Sequence, residues 1–444
     1  MRMTPSTPEL APRRRLLITA YHYDRLYSME SRLSWQRAEQ AALEYDVTML
    51  CARAPMDWDG RKSEASASSR GVRLELLPLN WLERRLMRTP GMYYIGYRMW
   101  HRRALRRAQG LHREQRFALV HHVSFCGYRE PSEMWRLDAP FVWGPVGGTQ
   151  PLPSAFLGEL STLDALRERI RAAVDAIQIR FDRRVRRAAQ HAKCLLAANQ
   201  AVAADLARAL QVKPIVQLET GVEPIAGAQP RSADGAQPLR ILWSGRLQAW
   251  KGLSLLLKGL AALPADVRYE VRIMGQGPCE ARWRQLAEQL GVAANIQWIG
   301  WPDYDGQLPH YQWADVFAFT SLRDTSGTGL LEALAAGAVI VGLDHQGAAD
   351  VMTGNCAIPV VADSPTTAIE GFRWAIARLA NDRQLLAELS AHAIERAREF
   401  TWERQWNVTQ EIYTQAQRRT AATATEAAIP EPLVRELQLV ETFS

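Results

Sequence analysis

Two carboxylates, two cations and a set of glycines stand at spacings that suit one kind of chemistry. Asp324 and Glu332 are separated by seven residues, among them Gly327, Thr328 and Gly329. An apolar run, Val316 to Phe319, precedes them, and an Ala/Leu segment ending at Gly337 follows. The stretch therefore reads as a buried strand, a turn and a helix N-terminus. Unpaired backbone N–H groups at such a turn favour an anion, and carboxylates accept hydrogen bonds from hydroxyl groups. Upstream, Arg246 and Lys251 lie between Gly245 and Gly252, just after the apolar run Ile241 to Ser244. Breaking a bond to a diphosphate needs cations where charge develops on the leaving phosphate, and the end of a strand in an open α/β sheet is where they would sit. The set suits a nucleotide-sugar.

The elements needed to hold these residues recur in two series. From Leu16 to Glu219, short apolar runs at Leu16–Tyr21, Val47–Leu50, Val72–Leu76, Ala118–His122, Phe141–Trp143, Lys193–Ala198 and Ile215–Leu218 alternate with helical segments such as Glu30–Glu44 and Leu166–Gln190. A second series begins at Arg240, with strands at Ile241–Ser244, Tyr269–Met274, Ile296–Ile299, Val316–Phe319, Val339–Leu343 and Ala357–Val361, and helices such as Glu280–Leu290 between them. The pattern predicts an α/β protein of two Rossmann-like, doubly wound parallel-sheet domains facing a central cleft. The first domain spans 1–222, a linker rich in Ala, Gly, Gln and Pro spans 223–239, and the second domain spans 240–400. Residues 401–418 form a further amphipathic helix, and 419–444, with little periodicity, form a flexible tail.

At 444 residues and 47% hydrophobic the chain can bury more than one core. Its five cysteines, Cys51, Cys126, Cys194, Cys279 and Cys356, stand far apart with no Cys-x-x-Cys pair, so neither a zinc site nor a disulfide framework is indicated. The apolar run after the basic N-terminus is too short for a signal peptide or a membrane span, and a cytoplasmic location is expected. The net charge of +7 is concentrated: between Trp81 and Arg116 ten Arg face Glu83 and Glu114, a local balance of +8. The Trp81–Arg107 stretch interleaves cations with Trp and Tyr, as elements lying on an anionic membrane surface do. No nucleic-acid motif accompanies it.

The acidic-x7-Glu spacing followed by Ala-Leu-Ala-Ala-Gly, together with Gly245-Arg246-Leu247 and Lys251-Gly252, resembles the retaining glycosyltransferases of family 4, which have the two-domain GT-B architecture. The resemblance implies that Arg246 and Lys251 contact the donor diphosphate, Glu332 the ribose, and Asp324 the hydroxyls of the transferred sugar. Asp324 stands where the family has Glu and is one methylene shorter. Gly245, Gly277, Gly300, Gly327, Thr328 and Gly329 would border the donor, with Met274-Gly275-Gln276-Gly277-Pro278 matching the family's Gly-x-Gly-Pro turn and Gly300-Trp301 beside the base. His121 and His122 end a strand that resembles the family's Asp-Val-Ile-His segment, whose histidine faces the cleft and touches the sugar. Successive strand residues point to opposite faces, so only one of the two can do so, and His121 fits the frame. Gly147 and Gly148 belong to a tight turn, Gly144 to Thr149, expected to face the cleft. The segment 401–418 matches by position the helix that crosses back onto the first domain.

These expectations describe a retaining, metal-independent transferase that needs no cofactor beyond its nucleoside-diphosphate sugar. It would act on a glycan or lipid-linked acceptor in polysaccharide biosynthesis, at the inner face of the membrane and without nucleic acid. Asp303-Tyr304-Asp305 mimics an Asp-x-Asp metal motif but lies in a polar loop outside the fold that uses one. The turn His22 to Ser28 lacks the Gly-Gly that many family members place there, which points to different acceptor handling. Two alternatives remain open: another GT-B enzyme such as a nucleotide-sugar epimerase, and a non-catalytic, membrane-docked partner of other transferases.

Overall fold

The computed structural model describes residues 13–24, 29–52, 71–123 and 127–428. Two wholly parallel sheets organise them. The first has strands β1 (Arg14–Ala20), β2 (Tyr45–Cys51), β3 (Arg73–Leu76), β4 (Leu119–His122), β5 (Phe141–Val146), β6 (Cys194–Ala197) and β7 (Ile215–Val216), in the order β3-β2-β1-β4-β5-β6-β7. The second has β8 (Leu239–Ser244), β9 (Tyr269–Met274), β10 (Ile296–Gly300), β11 (Val316–Phe319), β12 (Val339–Leu343) and β13 (Ala357–Val360), in the order β10-β9-β8-β11-β12-β13. Strand order reverses beside β1 and β8, and such a switch opens a crevice at the carboxyl ends of the strands.

Helices cover both faces of each sheet, which is why central strands such as β11 and β12 read as continuous apolar runs, while the outer β3, β9 and β10 carry interspersed polar residues. In the first half these are α1 (Met29–Ala41), α2 (Trp81–Arg88), α3 (Tyr93–Glu114), α4 (Thr162–Phe181), α5 (Arg183–His191) and α6 (Gln200–Leu210). In the second they are α7 (Leu253–Ala261), α8 (Glu280–Gln289), α9 (Tyr304–Trp313), α10 (Thr328–Ala335), α11 (Gln346–Val351), α12 (Pro365–Asn381), α13 (Arg383–Ala397) and α14 (Trp402–Ala428). The segment Leu166–Gln190, expected as one helical stretch, is two helices. Asp182 divides them, because its carboxylate accepts the N–H of Arg184 at 2.8 Å and caps α5.

On one face of the first sheet, Leu17 and Val120 pack with Tyr97 and Trp100 of α3; on the other, Leu16 and Ile18 pack with Trp406 and Tyr413 of α14. Helix α14 thus follows the second sheet in sequence but packs on the first, where Thr409 Oγ1 accepts hydrogen bonds from Arg37 at 2.5 Å and Gln217 at 2.7 Å. It runs on to Ala428, past the point at which the sequence pattern placed a tail; residues 429–444 lie outside the described residues. So do 25–28, most of the turn that lacks Gly-Gly.

The basic segment is more structural than its sequence implies. Arg98 pairs with Glu130 at 3.1 Å, Arg103 with Glu83 at 2.6 Å and Arg107 with Glu75 at 2.6 Å, while Tyr97 and Trp100 are core residues. What faces outward is the corner between α2 and α3, where Met92, Tyr94 and Ile95 are exposed, as is Trp81 at the start of α2. Among the described residues no helix is long and apolar enough to cross a membrane.

Candidate active site

The two motifs meet between β8 and β11. Lys251 ends a single 3-10 turn, Ala249–Lys251, and its Nζ pairs with the Asp324 carboxylate; each side chain keeps 21% of its surface exposed. The backbone is locked around them. Thr320 Oγ1 donates to the Lys251 carbonyl at 2.7 Å and accepts from Trp243 Nε1 at 2.8 Å. Gly252 has φ +62°, and a Cβ there would lie 2.5 Å from the Thr320 carbonyl oxygen, so only glycine lets the loops close. Arg246, in the same loop, is exposed, and no hydrogen bond or ion pair engages its guanidinium among the described residues.

Gly327, at φ +61°, caps α10, so the N–H groups of Thr328 and Gly329 lie in its first turn. One turn further, Glu332 projects half-buried into a cavity of about 410 Å³ that Arg32, Val222, Glu223, Tyr304 and Tyr311 also line. Burial pushes the Glu332 carboxyl up from its ordinary range, while hydrogen bonds from Tyr311 and Tyr304 and the charge of Arg32 favour its ionised form. Tyr311 also bonds Ser244, so one chain of contacts joins the end of β8 to Glu332. The Arg32 guanidinium lies 3.6 Å over the Tyr304 ring, bringing α1 of the first domain onto the second. Neither Arg32 nor Tyr304 belongs to the sequence motifs of the site. Tyr304 is the middle residue of Asp303-Tyr304-Asp305, where Asp303 serves as the cap of α9 by accepting the Gly306 N–H at 3.0 Å. Among the described residues no three His, Cys, Asp or Glu are gathered as a metal site.

Gly277 and Gly300 sit in turns beside the same strand ends: Leu247 N–H donates to Gln276 O at 2.9 Å, and Gly275 N–H to Gly300 O at 2.8 Å. Across the crevice, Gly147 bridges Gly127, and Gly148 takes φ +80°. The residues that follow reach the second domain. Gln150 donates to Asn199 Oδ1 at 3.0 Å, Asn199 Nδ2 donates to the Thr325 carbonyl at 2.6 Å, and Gln346 donates to the Pro151 carbonyl at 3.1 Å while its Oε1 accepts the Asp324 N–H at 2.9 Å. Ser326 Oγ bonds Glu219, and Arg323 reaches Glu168 of α4 at 3.1 Å. Asn199 and Gln346 thus fix the loop that carries Asp324. The only sequence signal for Asn199 was its place just beyond a strand.

The expectation that His121 faces the cleft is not met. Its Nδ1 meets the Tyr413 hydroxyl at 2.7 Å and its Nε2 the Gly144 carbonyl at 2.8 Å, and no side-chain surface remains. His122 points to the opposite face, with Nδ1 on Thr19 Oγ1 at 2.8 Å and its ring 5.2 Å from that of His101. Burial pulls both imidazoles down to about 3, so each is neutral. The cause is the double cover of the sheet: α14 takes one face and α3 the other, leaving neither histidine an opening.

Comparison with known proteins bears on this geometry. The model of the glycosyl transferases group 1 family matches residues 230–400. A D-inositol 3-phosphate glycosyltransferase of Saccharomonospora viridis is 30% identical over 239 residues, covering 49% of this chain and 52% of the relative. A putative colanic acid biosynthesis glycosyltransferase, WcaL of Salmonella typhimurium, is 29% identical over 169 residues, covering 36% and 40%. The chain thus spans about half, or less, of the length of these curated relatives. Among solved structures, sucrose-phosphate synthase of Thermosynechococcus elongatus superposes with TM-score 0.63 at 16% identity, covering 91% of this chain and 99% of that one. Anabaena HepE in complex with UDP gives 0.59 at 14%, covering 90% and 99%. These likenesses establish the fold, a GT-B architecture of two parallel-sheet α/β domains.

Proposed function

We propose that the chain moves a sugar from a nucleoside diphosphate to a glycan or lipid-linked acceptor, with retention of configuration, a reading supported by the match of residues 230–400 to the glycosyl transferases group 1 family. The observation that carries this reading is the Lys251–Asp324 pair at the rim of the α10 N-terminus, with Glu332 a turn behind it on the wall of the cavity. The nucleoside occupies that cavity, its ribose hydroxyls donating to Glu332, and a volume of a few hundred Å³ is ordinary for a small-molecule site. The diphosphate lies along the α10 N-terminus between Lys251 and the exposed Arg246, which supply positive charge as the glycosidic bond to phosphate breaks. Asp324 then exchanges its partner, Lys251, for the hydroxyls of the sugar.

The acceptor hydroxyl attacks from the face the phosphate leaves, and its proton passes to the departing phosphate oxygen, so no side-chain base or metal ion is invoked. Polysaccharide assembly at an anionic membrane surface is the setting this reading favours. Isothermal titration with a panel of nucleoside diphosphates and their sugars tests it: at least one pair binds, and Lys251→Ala weakens both members. A panel with no binder, or a bound donor that yields no acceptor-linked product with any glycan or lipid-linked acceptor, would overturn it.

A further inference from the structure

Helix α4 carries its apolar residues on the side away from the protein. Leu163, Leu166, Ile170, Val174, Ile177 and Phe181 recur at three- and four-residue spacings and so form one stripe along the helix. On a helix packed against a core that stripe is hidden, yet here every member is at least half exposed, from 50% at Val174 to 68% at Phe181. The inward side packs only the smaller apolar surface of Ala165 and Ile179 on the core and sets buried charge beside it. Glu168 and Asp175 are buried; Glu168 accepts from Arg323, and Asp175 accepts from Tyr128 at 3.0 Å and from Arg129. A contiguous apolar surface of this kind marks a place where something else binds.

Charge identifies the occupant. The exposed Arg167 borders one edge of the stripe, and the exposed Arg169 and Arg180 border the other, each within about 100° of its centre at 100° per residue. The exposed Arg183, Arg186 and Arg187 continue the cationic border into α5. Over residues 162–191 eight Arg face four acidic residues, two of which, Glu168 and Asp175, are turned inward. A second copy of the chain would set one arginine border against another, whereas an anionic bilayer complements both the stripe and its edges. The exposed α2–α3 corner adjoins: Tyr94 bonds Arg129, which bonds Asp175 of α4.

We propose that α4 lies flat in the headgroup layer of an anionic membrane, with the bilayer covering the stripe from Leu163 to Phe181. The proposal deepens the transferase reading and rests on it only for the purpose of docking. Glu168, on the inner side of α4, holds Arg323, the neighbour of Asp324, so the docked helix sets the sugar site beside the surface where a lipid-linked acceptor resides.

The test is co-sedimentation of the full chain with phosphatidylcholine vesicles, with and without phosphatidylglycerol. Binding should require phosphatidylglycerol and weaken as salt rises. Ile170→Ser, Ile177→Ser and Phe181→Ser combined should cut the partition coefficient at least about tenfold, given the apolar surface lost, with an unchanged melting temperature. Arg169→Gln, Arg180→Gln and Arg183→Gln combined should flatten the dependence on phosphatidylglycerol. Wild-type protein that ignores these vesicles at low salt, or a triple-serine variant that sediments like wild type, overturns the proposal. So does light scattering that finds a dimer which the serine variant converts to monomer, since a second copy then covers the stripe. Vesicle binding without any nucleoside-diphosphate binding would uphold the docking and sink the transferase reading.

Discussion

The strand ends of the second sheet lead into Arg246, Lys251 and Asp324; Arg246 is exposed, and the other two keep 21% of their side-chain surface. On the first sheet β4 ends in His121 and His122, with 0% and 1%. Both pairs of ends border the same crevice, but only one offers its charge to a ligand. Under the proposed function, ion-paired residues at the rim would exchange partners for a diphosphate and a sugar. Imidazoles sealed by α14 and α3 cannot, and they behave as polar parts of a core. The chemistry is therefore expected on the second domain, with the first contributing helix surfaces such as Arg32 of α1 and the inner side of α4.

The sharpest way to break that contrast is to remove the rim charges. Lys251→Ala and Arg246→Ala should each lower turnover by about 10² to 10³, the usual loss for one preorganised electrostatic contact, while His121→Asn should leave turnover per folded molecule within a few-fold of wild type. Near-wild-type turnover at saturating donor in both rim variants would remove the catalytic role from the second domain. A large loss in the histidine variant, measured on protein that is fully folded, would restore the first.

Next in size is the division of labour between the carboxylates. Glu332→Gln should weaken a free nucleoside diphosphate and its sugar alike, and Asp324→Asn only the sugar form, each by about 1.5–3 kcal/mol for a lost charged hydrogen bond. Calorimetric titration reads both. Equal loss of free-nucleotide affinity in the two variants would undo the assignment.

The buried histidines make the third prediction, on stability. His121 and His122 have ordinary pKa values near 6.5 when unfolded and about 3 when folded, because burial penalises the cation. Below 6.5 the unfolded chain takes up protons that the folded one refuses. Their stabilising contribution is complete above that pH and is lost as pH falls toward 3, at up to about 1.4 kcal/mol per pH unit for each histidine. Denaturant melts between pH 7 and pH 4 should show the decline, and His121→Asn should reduce its slope. A slope unchanged by that substitution would mean the ring is not buried as a neutral group.

What could be read from the sequence and what could not divides along physical lines. Strands covered on both faces are apolar throughout, so Val316–Phe319 and Val339–Leu343 have the same bounds in the pattern and in the structure, and so does Tyr269–Met274, whose Glu270 and Arg272 interrupt its apolar residues. The meeting of Lys251 with Asp324 follows from where strand ends and turns fall. Strand alternation, by contrast, says that His121 and His122 face apart but not what covers each face; α14, distant in sequence, decides that. Helical periodicity marks α4 as amphipathic without saying which side turns inward, and here the buried ion pairs of Glu168 and Asp175 reverse the usual answer. The Arg32–Tyr304 contact joins two domains through residues with no motif of their own.

That contact yields the smallest effect and the finest test of the second domain's advantage. Desolvation raises the Glu332 carboxyl, and Tyr304 is one of the groups that favour its ionised form. Tyr304→Phe removes that hydrogen bond, worth about 0.5–1.5 kcal/mol, so the carboxyl should titrate at a higher pH still. If a ribose donates hydrogen bonds to the carboxylate, protonation competes with nucleotide, and the variant should lose more affinity at pH 6 than at pH 8. A pH-independent loss would mean that Tyr304 contacts the nucleoside directly instead of tuning Glu332. No loss at either pH would place the nucleoside outside the cavity, and the contrast between an open second domain and a sealed first would then rest on Lys251, Arg246 and Asp324 alone.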